Sequence, residues 1–159
     1  MTIKAHGWSL HAHSCFISQL EALTNTVEKQ READPGGYQG KTQAKLLASI
    51  LMLLETEIPE DPASKSFDQG NTLGASMRHW RRAKFNRRYR LFFQFQSAKS
   101  EIVYAWVNDE NTLRKEGSTT DAYKVFAKLV SGKKIPNDWK ELLAAASSKD
   151  EELGALLEE

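Results

Sequence analysis

Residues 79–107 read HWRRAKF-NRR-YRLFFQFQ-SAKS-EIVYAWV, and the fold turns on how this stretch is read. Three runs, 79–85, 89–96 and 101–107, are dense in aromatic and branched residues, which suit the pleated, half-buried setting of a strand. Ser97-Ala98-Lys99-Ser100 separates the last two and predicts an antiparallel hairpin. Side chains alternate across a strand. Trp80, Arg82 and Lys84 therefore share one face while Ala83 and Phe85 share the other. In the next run Arg90, Phe92 and Gln94 oppose Leu91, Phe93 and Phe95. The Leu91/Phe93/Phe95 side is core, and the opposite side is cationic, set among aromatic and amide groups.

Upstream, residues 7–13 alternate in the same way, with Trp8, Leu10 and Ala12 against Ser9, His11 and His13, which predicts a short edge strand. From Ser14, a plausible N-cap, the period becomes helical through Phe16, Leu20, Leu23 and Val27. Asp34-Pro35-Gly36-Gly37 ends that helix. A second stripe of Ala44, Leu47, Leu51 and Leu54, widened by Ile50, runs to Pro59. The resulting helical hairpin over 14–57 needs a sheet to cover its apolar faces, and the Leu91/Phe93/Phe95 side supplies one. Residues 59–76, rich in Pro, Asp, Ser and Gly, read as a loop. After Asn108-Asp109-Glu110-Asn111 a helix begins at Thr120 or Asp121, turns Tyr123, Phe126 and Val130 inward and is capped by Gly132. A last helix runs from Pro136 or Asn137 to about Ala146, anchored by Trp139, Leu142 and Leu143. The expectation is one α+β domain over 1–147 followed by a loosely ordered acidic tail, 148–159.

A chain of 159 residues suits a single domain with a real core. With 40% hydrophobic and 27% charged residues, bulk disorder and low-complexity classes drop out. The one cysteine, Cys15, allows no internal disulfide and suggests a reducing compartment. No basic segment followed by an apolar one opens the chain, and the run Leu46 to Leu54 is too short to cross a bilayer. The expected location is cytoplasmic.

The net charge of +1 hides an asymmetry. Seven Lys or Arg and no acid lie between Arg78 and Arg90, against five acids and no base from Asp150 to Glu159. Such a distribution argues for an anionic partner held at one place. Guanidinium forks grip phosphates with paired hydrogen bonds, and exposed rings stack on unpaired bases. The cationic sheet face thus suits single-stranded RNA better than the major groove of DNA, which usually receives a helix. Arg81, Arg87, Arg88, Trp80 and Phe92 are expected to bind the RNA. Charged edge strands also guard against aggregation, but fewer charges suffice for that.

Other constellations are thinner. His11 and His13 have a spacing that can share a metal on a strand, yet no Cys or clustered acid completes the set. Asn108-Asp109-Glu110 reads as a metal-binding acid cluster or as a turn with local hydrogen bonds. No Gly-rich phosphate loop is present. Neither a metal nor another cofactor is expected.

Several segments closely resemble the YhaV-type toxins of the RelE-like superfamily, from bacterial type II toxin–antitoxin systems. They are Gly7-Trp8, Ala12-His13, Lys45-Leu46-Leu47-Ala48, Leu73-Gly74, Trp80, Arg82, Lys84-Phe85 and Arg88-Tyr89-Arg90-Leu91-Phe92-Phe93. The run Trp106-Val107-Asn108-Asp109-Glu110-Asn111-Thr112-Leu113-Arg114 and Asp121-Ala122-Tyr123 complete the set. The resemblance reaches to about residue 142. It departs between Lys84 and Arg88, where the loop is one residue shorter, and in the acidic tail. It implies a metal-independent endoribonuclease that cuts mRNA, either free or on the ribosome, and inhibits translation until a cognate AbrB-like antitoxin of the PrlF type neutralises it. The implied fold is RelE-like: a twisted antiparallel sheet with helices on one face and a cationic, cutting face opposite.

Metal-free RNA cleavage asks for a base at the ribose 2′-hydroxyl, cations at the pentacoordinate phosphate and an acid at the leaving 5′-oxygen. Lys84 is the base candidate, since Arg82 and Arg90 beside it would lower its pKa. Arg82 and Arg90 would hold the phosphate. Arg114 and Tyr123 match the family's late basic and tyrosine positions. Arg114 is read as acid or as stabiliser, and Tyr123 as a stacking ring or as part of its helix's inner stripe. Two other classes of function fit part of the pattern: a non-catalytic RNA- or ribosome-binding module using the same face, and a DNA-binding regulator, which lacks a helix-turn-helix.

Overall fold

The structure of the protein, a computed structural model, describes residues 2–157. Strands β1 (Ile3–Ala5), β2 (Trp8–Ala12), β3 (Arg81–Phe85), β4 (Tyr89–Gln96) and β5 (Glu101–Val107) form one sheet in the order β1-β2-β5-β4-β3. The three strands predicted within 79–107 pair antiparallel as β3, β4 and β5. The first starts at Arg81 because Trp80 still closes a tight turn, its N–H donating to the Met77 carbonyl at 3.2 Å.

The sheet is mixed, which corrects the expected antiparallel one. β2 runs parallel to β5, with Leu10 beside Ile102 and Ala12 beside Tyr104. Nor is β2 the edge: the preceding residues fold back as β1 through His6 and Gly7, at φ 49° and 84°, and β1 takes that place. Alternation looks the same beside a parallel or an antiparallel neighbour, so residues 7–13 carry no signal of direction.

Helix α1 (Ser14–Ala33) is capped one residue earlier than expected, by His13, whose Nδ1 accepts from the Cys15 N–H at 3.1 Å. Burial lowers the pKa of His13 from 6.5 and keeps the ring neutral, as a capping acceptor must be. Helix α2 (Thr42–Met52) continues through a widened turn, Leu53–Glu57, into the short α3 (Ile58–Glu60). Pro59 sits inside α3 and does not stop the helix before it. In the wide register the Leu54 carbonyl would need the N–H of residue 59, which proline lacks. The Tyr104 hydroxyl donates to that carbonyl instead, at 2.8 Å. Burial, then Glu55, raises the phenol's pKa well above 10.0. Tyr104→Phe leaves a buried carbonyl unpaired and should cost about 1–3 kcal/mol in urea unfolding. An unchanged unfolding midpoint would deny the bond this role.

Leu10, Phe16, Leu20, Ile50, Leu91, Phe93 and Tyr104 form the core between the sheet and the α1–α2 hairpin. The other face is covered as well. Helix α4 (Ala122–Ser131), capped by Asp121, and α5 (Trp139–Ser147), capped by Asp138, lie over Trp80, Phe92, Val103 and Ala105. An irregularity in the β4–β5 pairing at Phe92/Phe93 lets both Ala105 and Trp106 face this second core, while Val107 returns to the first.

The acidic segment is a helix, α6 (Asp150–Leu157), rather than a loose tail. Leu153, Leu156 and Leu157 recur at helical spacing and pack on the first core, with Leu153 fully buried. Asp150 meets Nδ1 of the buried His11 at 2.9 Å, and Glu101 meets its Nε2 at 3.2 Å. His11 is thus a buried tether for α6. Glu158 and Glu159, the end of the predicted tail, lie outside the described residues. No described helix is long and apolar enough to cross a membrane.

Candidate active site

Pairing across β3 and β4 sets Arg82 opposite Phe92 and Lys84 opposite Arg90. Directly opposed residues share a face, so these four sit away from the α1–α2 hairpin, as alternation requires. The middle of that face is closed by α4. Phe92 is fully buried, stacked on Phe126 with centroids 4.1 Å apart and edge-on to Tyr123. Trp80 is 1% exposed, and its indole N–H donates to Asn137 Oδ1 at 2.7 Å. Neither ring has a free face for a base, so both leave the set of expected RNA contacts and join the core. Phe92→Ala should therefore cost about 3–5 kcal/mol of stability. In protein that remains folded, RNA affinity measured by anisotropy should match the parent; a selective affinity loss would restore Phe92 as a contact.

The open part of the face is one end of the sheet, where the β3–β4 turn, the segment 108–121 and the first turn of α4 meet. Asn86 and Arg87 hold the β3–β4 turn at φ 44° and 68°, as a tight hairpin demands. Asn108 laces the segment to β4: its Oδ1 accepts the Arg90 N–H at 2.8 Å, and its Nδ2 donates to the Arg88 and Thr112 carbonyls at 3.1 and 2.8 Å. The Arg114 N–H donates to the Arg88 carbonyl at 2.9 Å, and Arg88 Nε returns a bond to the Arg114 carbonyl at 3.1 Å. Arg88 and Arg114, remote in sequence, are held side by side.

Arg114 lies over the Tyr123 ring at 4.6 Å and pairs with Asp121 at 2.9 Å. Asp121, itself buried, also accepts the N–H groups of Lys115 and Tyr123 at 2.5 and 3.0 Å. One carboxylate thus caps α4, fixes the turn before it and orients a guanidinium.

Arg90 is only 8% exposed, yet among the described residues it meets no carboxylate. Its Nε donates to the Tyr123 hydroxyl at 3.3 Å, and its Nη1 to the Arg87 and Tyr89 carbonyls at 3.0 and 2.8 Å. Burying a cation among neutral dipoles alone is costly. Here it also leaves a strong, pre-aimed attraction for an anion.

The structure brings together Arg90, Arg114 and Tyr123, with the exposed Arg87 and Arg88 at the rim. Lys84, exposed and directly opposite Arg90, stands at the margin. Its other surroundings are acidic, since it shares a groove with Glu57, Glu60 and Asp61. Arg82 does not join the cluster: its guanidinium is spent on the Ser66 and Asp68 carbonyls, at 3.3 and 2.8 Å. Arg81 is likewise tied down, to the Ser64 carbonyl at 2.6 Å and to Asp68 at 2.9 Å, with its guanidinium over Phe95. These two arginines strap the 64–68 loop onto the edge of β3.

Asn108 and Asp121 are structural partners of the site that spacing does not single out. Asn108 is the buried member of what reads as a simple turn, and Asp121 carries only the signal of a helix cap. The neighbouring Asp109 does form local turn bonds, accepting from the Asn111 N–H at 3.0 Å and the Thr112 hydroxyl at 2.9 Å. No group of three or more His, Cys, Asp or Glu able to hold a metal occurs among the described residues.

Comparison with known proteins gives the family of the chain. Toxin YhaV of Escherichia coli O6:H1 and ribonuclease toxin YhaV of Escherichia coli K12 are each 42% identical over 141 residues, covering 87% of this chain and 92% of theirs. No solved structure gives a significant match. Residues 10–147, which include every residue of the cationic cluster, match the YhaV toxin family, described as toxins with endonuclease activity of toxin–antitoxin systems. The chain belongs to the YhaV family of endonuclease toxins.

Proposed function

We propose that the protein is an endoribonuclease toxin that cuts mRNA in the cytoplasm without a metal ion, and that the cluster around Arg90 is where it cuts. The observation that carries this reading is the buried Arg90 guanidinium, which meets no carboxylate among the described residues, beside Arg114 stacked on Tyr123. A phosphodiester supplies the missing negative charge, and two guanidinium groups suit the pentacoordinate state, in which that charge increases. The name of the K12 relative, a ribonuclease toxin, supports RNA as the substrate.

In this reading Lys84 takes the proton of a ribose 2′-hydroxyl. The freed O2′ bonds to phosphorus, the P–O5′ bond breaks, and O5′ takes a proton from Tyr123 or Arg114. The products are a 2′,3′-cyclic phosphate and a 5′-hydroxyl end. The Tyr123 hydroxyl accepts from Arg90 and so keeps its own proton to donate. Arg87 and Arg88 attract the flanking phosphates. The α+β arrangement is then a RelE-like scaffold whose cutting surface has shrunk to one end of the sheet. A cognate antitoxin of the AbrB-like PrlF type would silence the site by covering the same cations with acidic side chains.

Purified protein incubated with RNA in EDTA should give fragments with those two ends. Intact RNA at saturating protein would instead favour a non-catalytic RNA-binding module on the same cations.

A further inference from the structure

The cationic cluster continues along α4. Asp121 joins the start of this helix to Arg114 and Lys115, while Tyr123, Phe126 and Val130 bury its inner face. Lys124 and Lys128 are four residues apart and both exposed, so they line up on the outer face. Neither pairs with a carboxylate among the described residues. At the far end of the ten-residue helix, about 15 Å on, Val130 and Ser131 form a wall of a groove of about 970 Å³. Lys133, exposed and at φ 62°, stands on its rim.

This groove has the chemistry of a base reader. Gln96 brings an exposed side-chain amide from β4 with the buried Gln94 behind it, Trp139 offers a partly exposed ring, and His79 adds an imidazole. Amides match the donor and acceptor edges of bases, and rings stack on their faces. The loop at its margin is fixed, because Asn137 accepts His79 Nε2 and Gln94 Nε2 on its carbonyl at 2.8 and 3.2 Å. Two acids also stand there. Asp138 is engaged in capping α5, accepting the Glu141 N–H at 3.2 Å, and the Glu141 carboxylate is exposed. They confine phosphate attraction to the Lys133 side.

We propose that the lysine ridge of α4 and this groove form an extended RNA subsite: Lys124 and Lys128 carry the phosphates of a single strand leaving the cut site, and the groove holds one or two of its bases. The proposal rests on the endoribonuclease reading above. It assigns to the toxin a second contact with the same RNA, so that substrate length, beyond the scissile phosphate, contributes to affinity.

Binding of fluorescent, uncuttable 2′-O-methylated RNA tests it by anisotropy. Two lengths are needed, about four nucleotides to fill the cluster alone and about twelve to reach the groove. For the parent the longer RNA should bind more tightly. Lys124→Gln/Lys128→Gln should lose about tenfold in affinity for the longer RNA, with its salt slope reduced by about 1.4, and bind the shorter as the parent does. Gln96→Glu, an exposed change that adds a negative charge to the groove, should show the same length-selective loss. Parental affinity for the longer RNA in both variants overturns the subsite, and so does equal binding of the two lengths by the parent. The endoribonuclease reading fails separately, if the parent cuts no unmodified RNA in EDTA. If the double variant binds RNA normally but no longer binds its antitoxin, the ridge is a protein-docking surface instead.

Discussion

Arg90→Met should lower the rate of RNA cleavage by about a thousandfold and leave the melting temperature within about 5 °C of the parent. Both halves follow from the environment of one guanidinium. Arg90 is buried, bonded to the Tyr123 hydroxyl and two backbone carbonyls, and unpaired with any described carboxylate. Removing its charge relieves a desolvation penalty, while the lost hydrogen bonds cost a similar amount, so the two offset in the free protein. Methionine fills much of the volume without creating a large cavity. No such offset exists at the phosphate, where a pre-aimed donor acts on charge that develops only as O2′ attacks. Cleavage rate, RNA affinity and thermal unfolding of the purified variant decide the matter. A variant that still cuts at a tenth of the parental rate or faster removes Arg90 from the mechanism. A variant that fails to fold would show that Arg90 contributes more to stability than its partners explain, and Arg90→Lys then carries the test of the charge.

Lys84→Ala should slow cleavage by two to four orders of magnitude, roughly the worth of a general base, with RNA affinity reduced only about threefold, one exposed phosphate contact among several. The structure sharpens this test. Lys84 is exposed and opposite Arg90 in the β3–β4 pair, but Arg82, expected to press on it from the other side, is turned to the Ser66 and Asp68 carbonyls. Its remaining neighbours in the groove include three carboxylates. Retention of the parental rate in Lys84→Ala, beside an inactive Arg114→Ala or Tyr123→Phe, would place proton transfer on the Arg114–Tyr123 side and leave Lys84 as a positioning charge. The pH–rate profile separates these outcomes, since loss of the base removes the acidic limb of the bell.

Within the β3–β5 hairpins the sequence carries nearly everything. A two-residue period distinguishes Arg82, Lys84 and Arg90 from Ala83, Leu91 and Phe93, and the register found in the structure keeps that division. The α1–α2 hairpin on the Leu91/Phe93 side follows from the same logic, because two apolar stripes and one apolar sheet face must cover each other. Periodicity reports which side of a strand or helix is apolar. It does not report whether the opposite side stays open. Phe92 and Trp80, set among arginines, look like stacking platforms until α4 is laid over them; whether it lies there depends on the 108–121 segment, which local pattern leaves free.

Long-range pairing is where the sequence falls silent. The parallel partner of β2, the edge position of β1 and the docking of α6 through Asp150 and His11 each join residues more than ninety positions apart or depend on such a pairing, and no local rule encodes them. The same holds for the site. Residues 78–90 announce a cationic surface, but they do not say that Arg82 is tied up by backbone carbonyls while Arg90 meets no counter-ion among the described residues. Both are arginines on one face of neighbouring strands. What separates strut from proposed phosphate clamp is the set of groups that the tertiary fold carries to each guanidinium: the 66–68 carbonyls to one, and Tyr123 with the Arg114–Asp121 pair to the other.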